Sequence, residues 1–136
     1  MAIDYGTKNI GVASGDSFFK IAFPNCIISN KGVEKAANEI NQKFKELEAD
    51  KIIFGLPLNM KTHHEKNALQ KEINKMIHIL KGEYGIKNIT QIDERLSTFE
   101  GNKLINDIQE KGGRIKIKRD AHSAQIILQR YFEENA

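Results

Sequence analysis

Apolar residues change their period along this chain, and each change marks an element. Up to Ile28 they fall in short runs broken by Gly, Asp, Ser and Pro, the pattern of strands joined by tight turns. Met1-Ala2-Ile3 ends in Asp4, Tyr5 to Asn9 makes a Gly-containing turn, and Ile10 to Ala13 resumes as a second strand. This is a hairpin whose first strand is short. Ser14-Gly15-Asp16-Ser17 predicts the next turn and Phe18 to Ile28 a third strand. The far part of that strand is expected to be an irregular edge, because Pro24 cannot donate to a ladder.

The period then becomes helical. Val33, Ala36, Ala37, Ile40, Phe44 and Leu47 form one stripe, with Ser29 or Asn30 as candidate N-cap. Lys51 to Gly55 is a continuous apolar run of the kind that parallel strands bury on both faces, and Leu56 to Met60 leaves it as a loop. Thr62-His63-His64-Glu65 has capping-box spacing ahead of Leu69, Ile73, Met76, Ile77 and Leu80, and Gly82 stops that helix. Ile86 to Ile92 predicts a last strand ending in Asp93-Glu94-Arg95. Ser97 to Glu100 is a second capping box before Leu104, Ile105 and Ile108, with Gly112-Gly113 as the stop. A basic loop follows, and Asp120 opens a final helix bearing Ala124, Ile127, Leu128, Tyr131 and Phe132. Strands first, then helix and strand in alternation, predict an α/β fold with one mixed sheet flanked by helices.

Length changes the picture only by bounding it: 136 residues suit one domain, residues 1–136, around one core. The lone Cys26 excludes an internal disulfide and a zinc-finger arrangement, and its apolar neighbours suit a small core residue. No apolar run approaches a membrane span and no signal-peptide core is present, so a soluble cytoplasmic protein without a membrane partner is expected. The net charge of +3 is mild, but its distribution is uneven. Lys111, Arg114, Lys116, Lys118 and Arg119 crowd one segment, while Glu34, Glu39, Glu46, Glu48 and Asp50 gather in another. A local basic cluster steers a polyanion even at small net charge.

The acids carry the candidate chemistry. Asp4 ends the first strand, Asp93-Glu94 end the last, and Asp120 stands at the final helix. Carboxyl ends of parallel strands share one sheet edge, where ligands bind in α/β folds. Carboxylates gathered there repel unless a cation is present. Mg²⁺ or Mn²⁺, as two ions, would relieve the repulsion and clamp the attacking and leaving oxygens of a phosphodiester. Each acid also has a plain reading: Asp4 as an Asx-turn, Asp120 as an N-cap, Asp93-Glu94-Arg95 as a surface ion-pair cluster. Convergence favours the metal, because a capping Asp needs no acid on a distant strand. The basic segment, with Arg114, Lys116, Lys118 and Arg119, would bind phosphate ahead of Asp120, although its alternation also suits an edge strand. His122 is a candidate phosphate contact or proton shuttle, His63-His64 a poor metal pair, and His78 a structural residue. No aromatic array reads bases, so shape would set specificity.

Ile3-Asp4-Tyr5-Gly6-Thr7-Lys8-Asn9-Ile10-Gly11-Val12, Gly55-Leu56-Pro57-Leu58-Asn59-Met60, Asp93-Glu94-Arg95-Leu96-Ser97-Thr98 and Asp120 to Gln129 together resemble the four signature blocks of the YqgF (RuvX) family. These are Holliday-junction-resolvase-like proteins regarded as nucleases for the precursor of small-subunit ribosomal RNA. The resemblance implies an RNase H-like fold with a mixed five-stranded sheet, and an acidic triad binding Mg²⁺ or Mn²⁺. Asp4 would bridge the metals, Glu94 or its neighbour Asp93 would be the second acid, and Asp120 the third. Lys8 and Arg95 would contact phosphate and Asn59 would offer a polar contact beside the site. The first strand is shorter than the family's, and Ser123-Ala124 stands where paired alanines are common; both residues are small enough for close helix–sheet packing.

The implied activity is phosphodiester hydrolysis in 5′-end processing of pre-16S rRNA during ribosome biogenesis. Expected partners are structured RNA or branched DNA and ribosomal precursor particles, for a monomer or a homodimer. Three rivals share the residues: a junction resolvase, which needs two symmetry-related sites; an actin-like ATPase module, whose phosphate loop resembles Asp4 to Gly11; and a non-catalytic assembly factor.

Overall fold

The structure is a computed structural model that describes residues 1–55, 63–92 and 115–134. For His63, Glu65, Lys66 and residues 115–120 it describes the backbone alone. The Leu56–Met60 loop with Asn59, the acids Asp93 and Glu94, Arg95, the helix expected before Gly112 and Arg114 lie outside the described residues.

Among the described residues eight elements follow in order: β1 (Ala2–Asp4), β2 (Asn9–Asp16), β3 (Ile21–Ser29), α1 (Val33–Glu46), β4 (Ile52–Gly55), α2 (His63–Gly82), β5 (Ile89–Gln91) and α3 (Ile115–Glu134). The strands form one five-stranded sheet in the order β3-β2-β1-β4-β5. The two hairpin pairs are antiparallel, and β1 with β4 and β4 with β5 are parallel. The expected mixed α/β sheet is therefore present, with β1 at its centre.

Although β1 spans only three residues, it is held on both sides and at its start. The Met1 amine donates to the Lys51 carbonyl at 3.0 Å, and Ile53 N–H donates to the Met1 carbonyl at 2.9 Å. Burial pushes that amine's pKa below its ordinary value of 8.0, against the opposing pull of Asp50. All four β4 residues are buried, as their unbroken apolar run requires.

Strand alternation sorts the core into two layers. Ile3, Tyr5, Ile10, Val12, Ile52 and Phe54 meet Ala36, Ala37 and Ile40 of α1 and Leu69, Ile73, Met76 and Leu80 of α2. On the opposite face Ala2, Ala13, Ala22 and Ile53 meet Ala124, Ile127, Leu128 and Phe132 of α3.

Several boundaries differ from the sequence reading. β2 runs on through Ser14 and Gly15, and the turn falls at 17–20 instead. Asp16 nucleates it: its Oδ1 accepts from Phe18 N–H at 2.7 Å and Phe19 N–H at 3.3 Å. Phe18 and Phe19 thus sit on the turn, 85% and 68% exposed, and do not begin the strand. β3 is the edge strand that Pro24 demands, but its irregularity is a bulge in mid-strand, opposite Val12 and Ala13. The N-cap of α1 is Gly32, not Ser29 or Asn30, because the Asn30 side chain is committed to the hairpin turn. β5 begins at Ile89 rather than Ile86, since only four residues of β4 are available to pair with it, and Ile86 is instead buried beneath α2. His78 is exposed rather than structural, and Cys26 is only partly buried. The last helix is described from Ile115 onward, so Lys116, Lys118 and Arg119 are helical and Asp120 lies within it. Asp120 is therefore no N-cap, and the alternation of 115–118 is no strand.

Candidate active site

Asp4 is the last residue of the central strand and is 8% exposed, an acid at the boundary of the core. It lies on the α3 face, two residues beyond Ala2 along β1. Its register partners are Gly11 on β2 and Gly55 on β4. Directly paired residues share a face, so the carboxylate has no side chain beside it on either neighbouring strand. Only backbone stands beside it on both strands, and the Ile127 side chain lies over Gly55.

The turn after Asp4 is braced by Asn30. Its Nδ2 donates to the Gly6 carbonyl at 2.8 Å, its Oδ1 accepts from Gly32 N–H at 3.1 Å, and its own N–H donates to the Lys8 carbonyl at 2.8 Å. One amide thus ties the β1–β2 turn to the start of α1 and holds the exposed Lys8 at the sheet end where Asp4 lies. On the other face Tyr5 is fully buried, and its hydroxyl donates to Glu72 Oε1 at 3.5 Å. Desolvation, aided by Glu72 and opposed by Asn30, raises its pKa above 10.0.

Helix α3 closes the Asp4 face. Leu128 and Phe132 approach Gly15, two residues past the Ala2–Ala13 pair on the side away from Asp4. Ile127 approaches Gly55, level with Asp4. From Ile127 the helix continues about 18 Å toward its first residue, past the carboxyl ends of β1 and β4. Asp120 occupies the position one turn before Ala124, which is fully buried against the sheet. Lys116, Lys118 and Arg119 belong to the same turns. Ser123 and Ala124, 5% and 0% exposed, permit the close seating their size suggests.

Two glutamines missed in the sequence fix the helix lengthwise. Gln125 Nε2 donates to the Ala22 carbonyl at 2.9 Å, while Gln129 Nε2 donates to the Lys20 carbonyl at 2.9 Å and its Oε1 accepts from Ala22 N–H at 3.2 Å. His122 Nδ1 lies 2.8 Å from Gln125 Oε1, so the ring is engaged beside that anchor. Polar residues on a helix read as solvated until the edge strand beside them is known.

A single oxygen ligand set suits Mg²⁺ or Mn²⁺ rather than a softer ion. Among the residues whose side chains are described, no group of three His, Cys, Asp or Glu could hold a metal. Of the three acids the sequence reading brings together, Asp4 is the one whose side chain is described. Also among the described residues, no helix is long and apolar enough to cross a membrane.

Three comparisons bear on this arrangement. A family model described as "RuvX: Holliday junction resolvase" matches residues 1–134. A protein of Escherichia coli O7:K1 named "Putative pre-16S rRNA nuclease" is 38% identical over 138 residues, covering 98% of this chain and 95% of its own. Proteins of the same name from Cronobacter sakazakii and Nitrosospira multiformis are 36% and 31% identical, covering 99% and 98% of this chain and 96% and 87% of their own. Among solved structures, the fowlpox virus resolvase in complex with Holliday junction DNA matches with a TM-score of 0.50 and 14% identity, over 98% of this chain and 95% of that one. That last likeness concerns the fold, which is RNase H-like.

Proposed function

The chain belongs to the RuvX family of nucleases, and we propose that it hydrolyses phosphodiester bonds in precursor 16S rRNA, using divalent ions held by Asp4, Asp120 and an acid of the Asp93-Glu94 pair. The observation that carries the reading is Asp4 itself: a buried carboxylate ending the central strand, flanked by two glycines, on the face that α3 covers. The carboxyl ends of parallel strands are where α/β folds bind ligands, and a carboxylate at that edge suits a hard divalent cation.

Bound there, Mg²⁺ or Mn²⁺ would activate a water and stabilise the charge that builds on the phosphate. The chain's residues do the rest. Asp4 and Asp120 hold the ions in place, Lys8 on the braced turn meets a phosphate on the strand, and Lys116, Lys118 and Arg119 on the first turns of α3 track the backbone. Arg95 and Asn59 complete the contacts the resemblance implies, and Arg114 adds to the basic segment. The substrate assignment rests on relatives 31–38% identical across nearly their whole length. Branched DNA is the second reading, favoured by the family's description and by the DNA held in the fowlpox enzyme.

A labelled pre-16S fragment and a four-way DNA junction, each incubated with Mg²⁺, Mn²⁺ or EDTA, separate the two. Cleavage of the RNA that needs the ion and vanishes in Asp4→Asn supports the proposal. Preferential cutting of the junction replaces its substrate, and equal degradation by wild type and Asp4→Asn sinks the site.

A further inference from the structure

We propose that Gly55 is a positioning residue: by carrying no side chain, it sets how closely α3 rests on the sheet beside Asp4, and so fixes the separation between β1 and the helix position of Asp120. The inference rests on the reading above, in which those two acids share ions.

Gly55 ends β4 and pairs in register with Asp4. A Cβ at this position would stand 2.5 Å from Ile127 Cδ1 and 2.9 Å from Ile127 Cγ1. Non-bonded carbons rest at about 3.5–4.0 Å, so neither contact is tolerable. Rotation about χ2 would move Cδ1 aside. Cγ1 is different, because it hangs on a β-branched carbon whose χ1 is nearly fixed within a helix. Ile127 is 1% exposed and packed among Ala2, Ile53 and Ala124, which leaves its side chain nowhere to swing. Displacement of α3 is the remaining relief. Asp120 lies two turns before Ile127 on the same side of that helix, so a shift at one is felt at the other. Metal sites tolerate errors of about 0.2 Å in ligand distance, far less than the contact deficit at Gly55.

Gly15 supplies the contrast. A Cβ there would meet Ile21 O at 2.5 Å, Phe132 Cε2 at 2.9 Å and Leu128 Cδ2 at 3.0 Å, an equally tight fit beneath the far end of the same helix. If Gly55 mattered only for stability, the two glycines would behave alike.

The test is Mn²⁺ titration by calorimetry without nucleic acid, on wild type, Gly55→Ala, Gly15→Ala, Gly55→Ala/Ile127→Ala, Asp4→Asn and Asp120→Asn, with circular dichroism to check folding. Gly55→Ala should weaken Mn²⁺ binding about tenfold or more, the scale of lost support around a metal ligand. Gly15→Ala should lower the melting temperature while moving the affinity less than about twofold. Removing the Ile127 side chain should return the double variant to within about threefold of wild type. If Gly55→Ala does not fold, the double variant carries the test alone, and it must fold and bind. Wild-type affinity in Gly55→Ala, or no recovery in the double variant, overturns the role of Gly55. Unchanged affinity in both Asp4→Asn and Asp120→Asn overturns instead the shared-ion reading beneath it.

Discussion

On the face of the sheet that meets α1 and α2, the strands present Ile3, Tyr5, Ile10, Val12, Ile52 and Phe54; on the face that meets α3, the same strands present the mostly smaller Ala2, Asp4, Gly11, Ala13, Ile53 and Gly55. Each large side chain removes apolar area from water, at about 25 cal/mol per Å², so the first face supplies most of the cohesion. The second buries less per residue but lets a helix lie close to the backbone. Large residues level with Asp4 would hold α3 further out, and with it the acid proposed to share an ion with Asp4. Strand alternation lets one sheet meet both needs, stability from one parity of positions and proximity from the other.

Four experiments probe that division, beginning with the largest expected effect. Asp4→Asn should reduce cleavage of a pre-16S fragment about a thousandfold, by analogy with removing a main electrostatic group, while urea denaturation shows a fold still intact. A variant that keeps a tenth of the activity would remove Asp4 from the chemistry. Phe54→Ala, on the large-residue face, should cost about 3–5 kcal/mol in chemical denaturation, because the buried ring leaves a cavity. Ala13→Leu addresses the other face by overfilling it, at a cost of about 1–3 kcal/mol. If Ala13→Leu stabilised the fold, α3 would not be closely seated. The smallest effect concerns pH. The folded state holds the Tyr5 proton more tightly than the unfolded chain, whose tyrosine titrates near 10.0. Its contribution is therefore full below pH 10.0 and is lost as pH rises through the higher folded value. Melting curves at pH 9 and pH 11 should show a steeper alkaline loss in wild type than in Tyr5→Phe, and parallel losses would contradict it.

Much of this was legible in the order of residues, for identifiable reasons. Ile52 to Gly55 announces a strand covered on both sides because no polar residue interrupts it, and the stripes of α1 and α2 follow from helical spacing. Asp4 could be placed at a strand end by the same logic. Its flanking by Gly55 could not, since a parallel pairing across fifty residues leaves no local trace. The turn at Ser17–Lys20 was obscured by two phenylalanines that read as strand, when the decisive group is the Asp16 carboxylate beneath them. Residues 115–119 alternate like a strand yet are helical, so the period-2 pattern there misleads. Asn30 looked like a cap and proves to be a brace for the turn after Asp4.

The place of β1 also bears on how the chain comes to be folded. Its residues lie in the middle of the sheet, yet they pair with β4 some fifty positions later in the chain. Their other covering, α3, comes later still in the chain. Such distant pairings close slowly because the intervening chain must first be gathered. A chain cut short before Ile115 would lack Ala124, Ile127, Leu128 and Phe132, so an unfinished copy would carry the candidate site without the helix that covers its face.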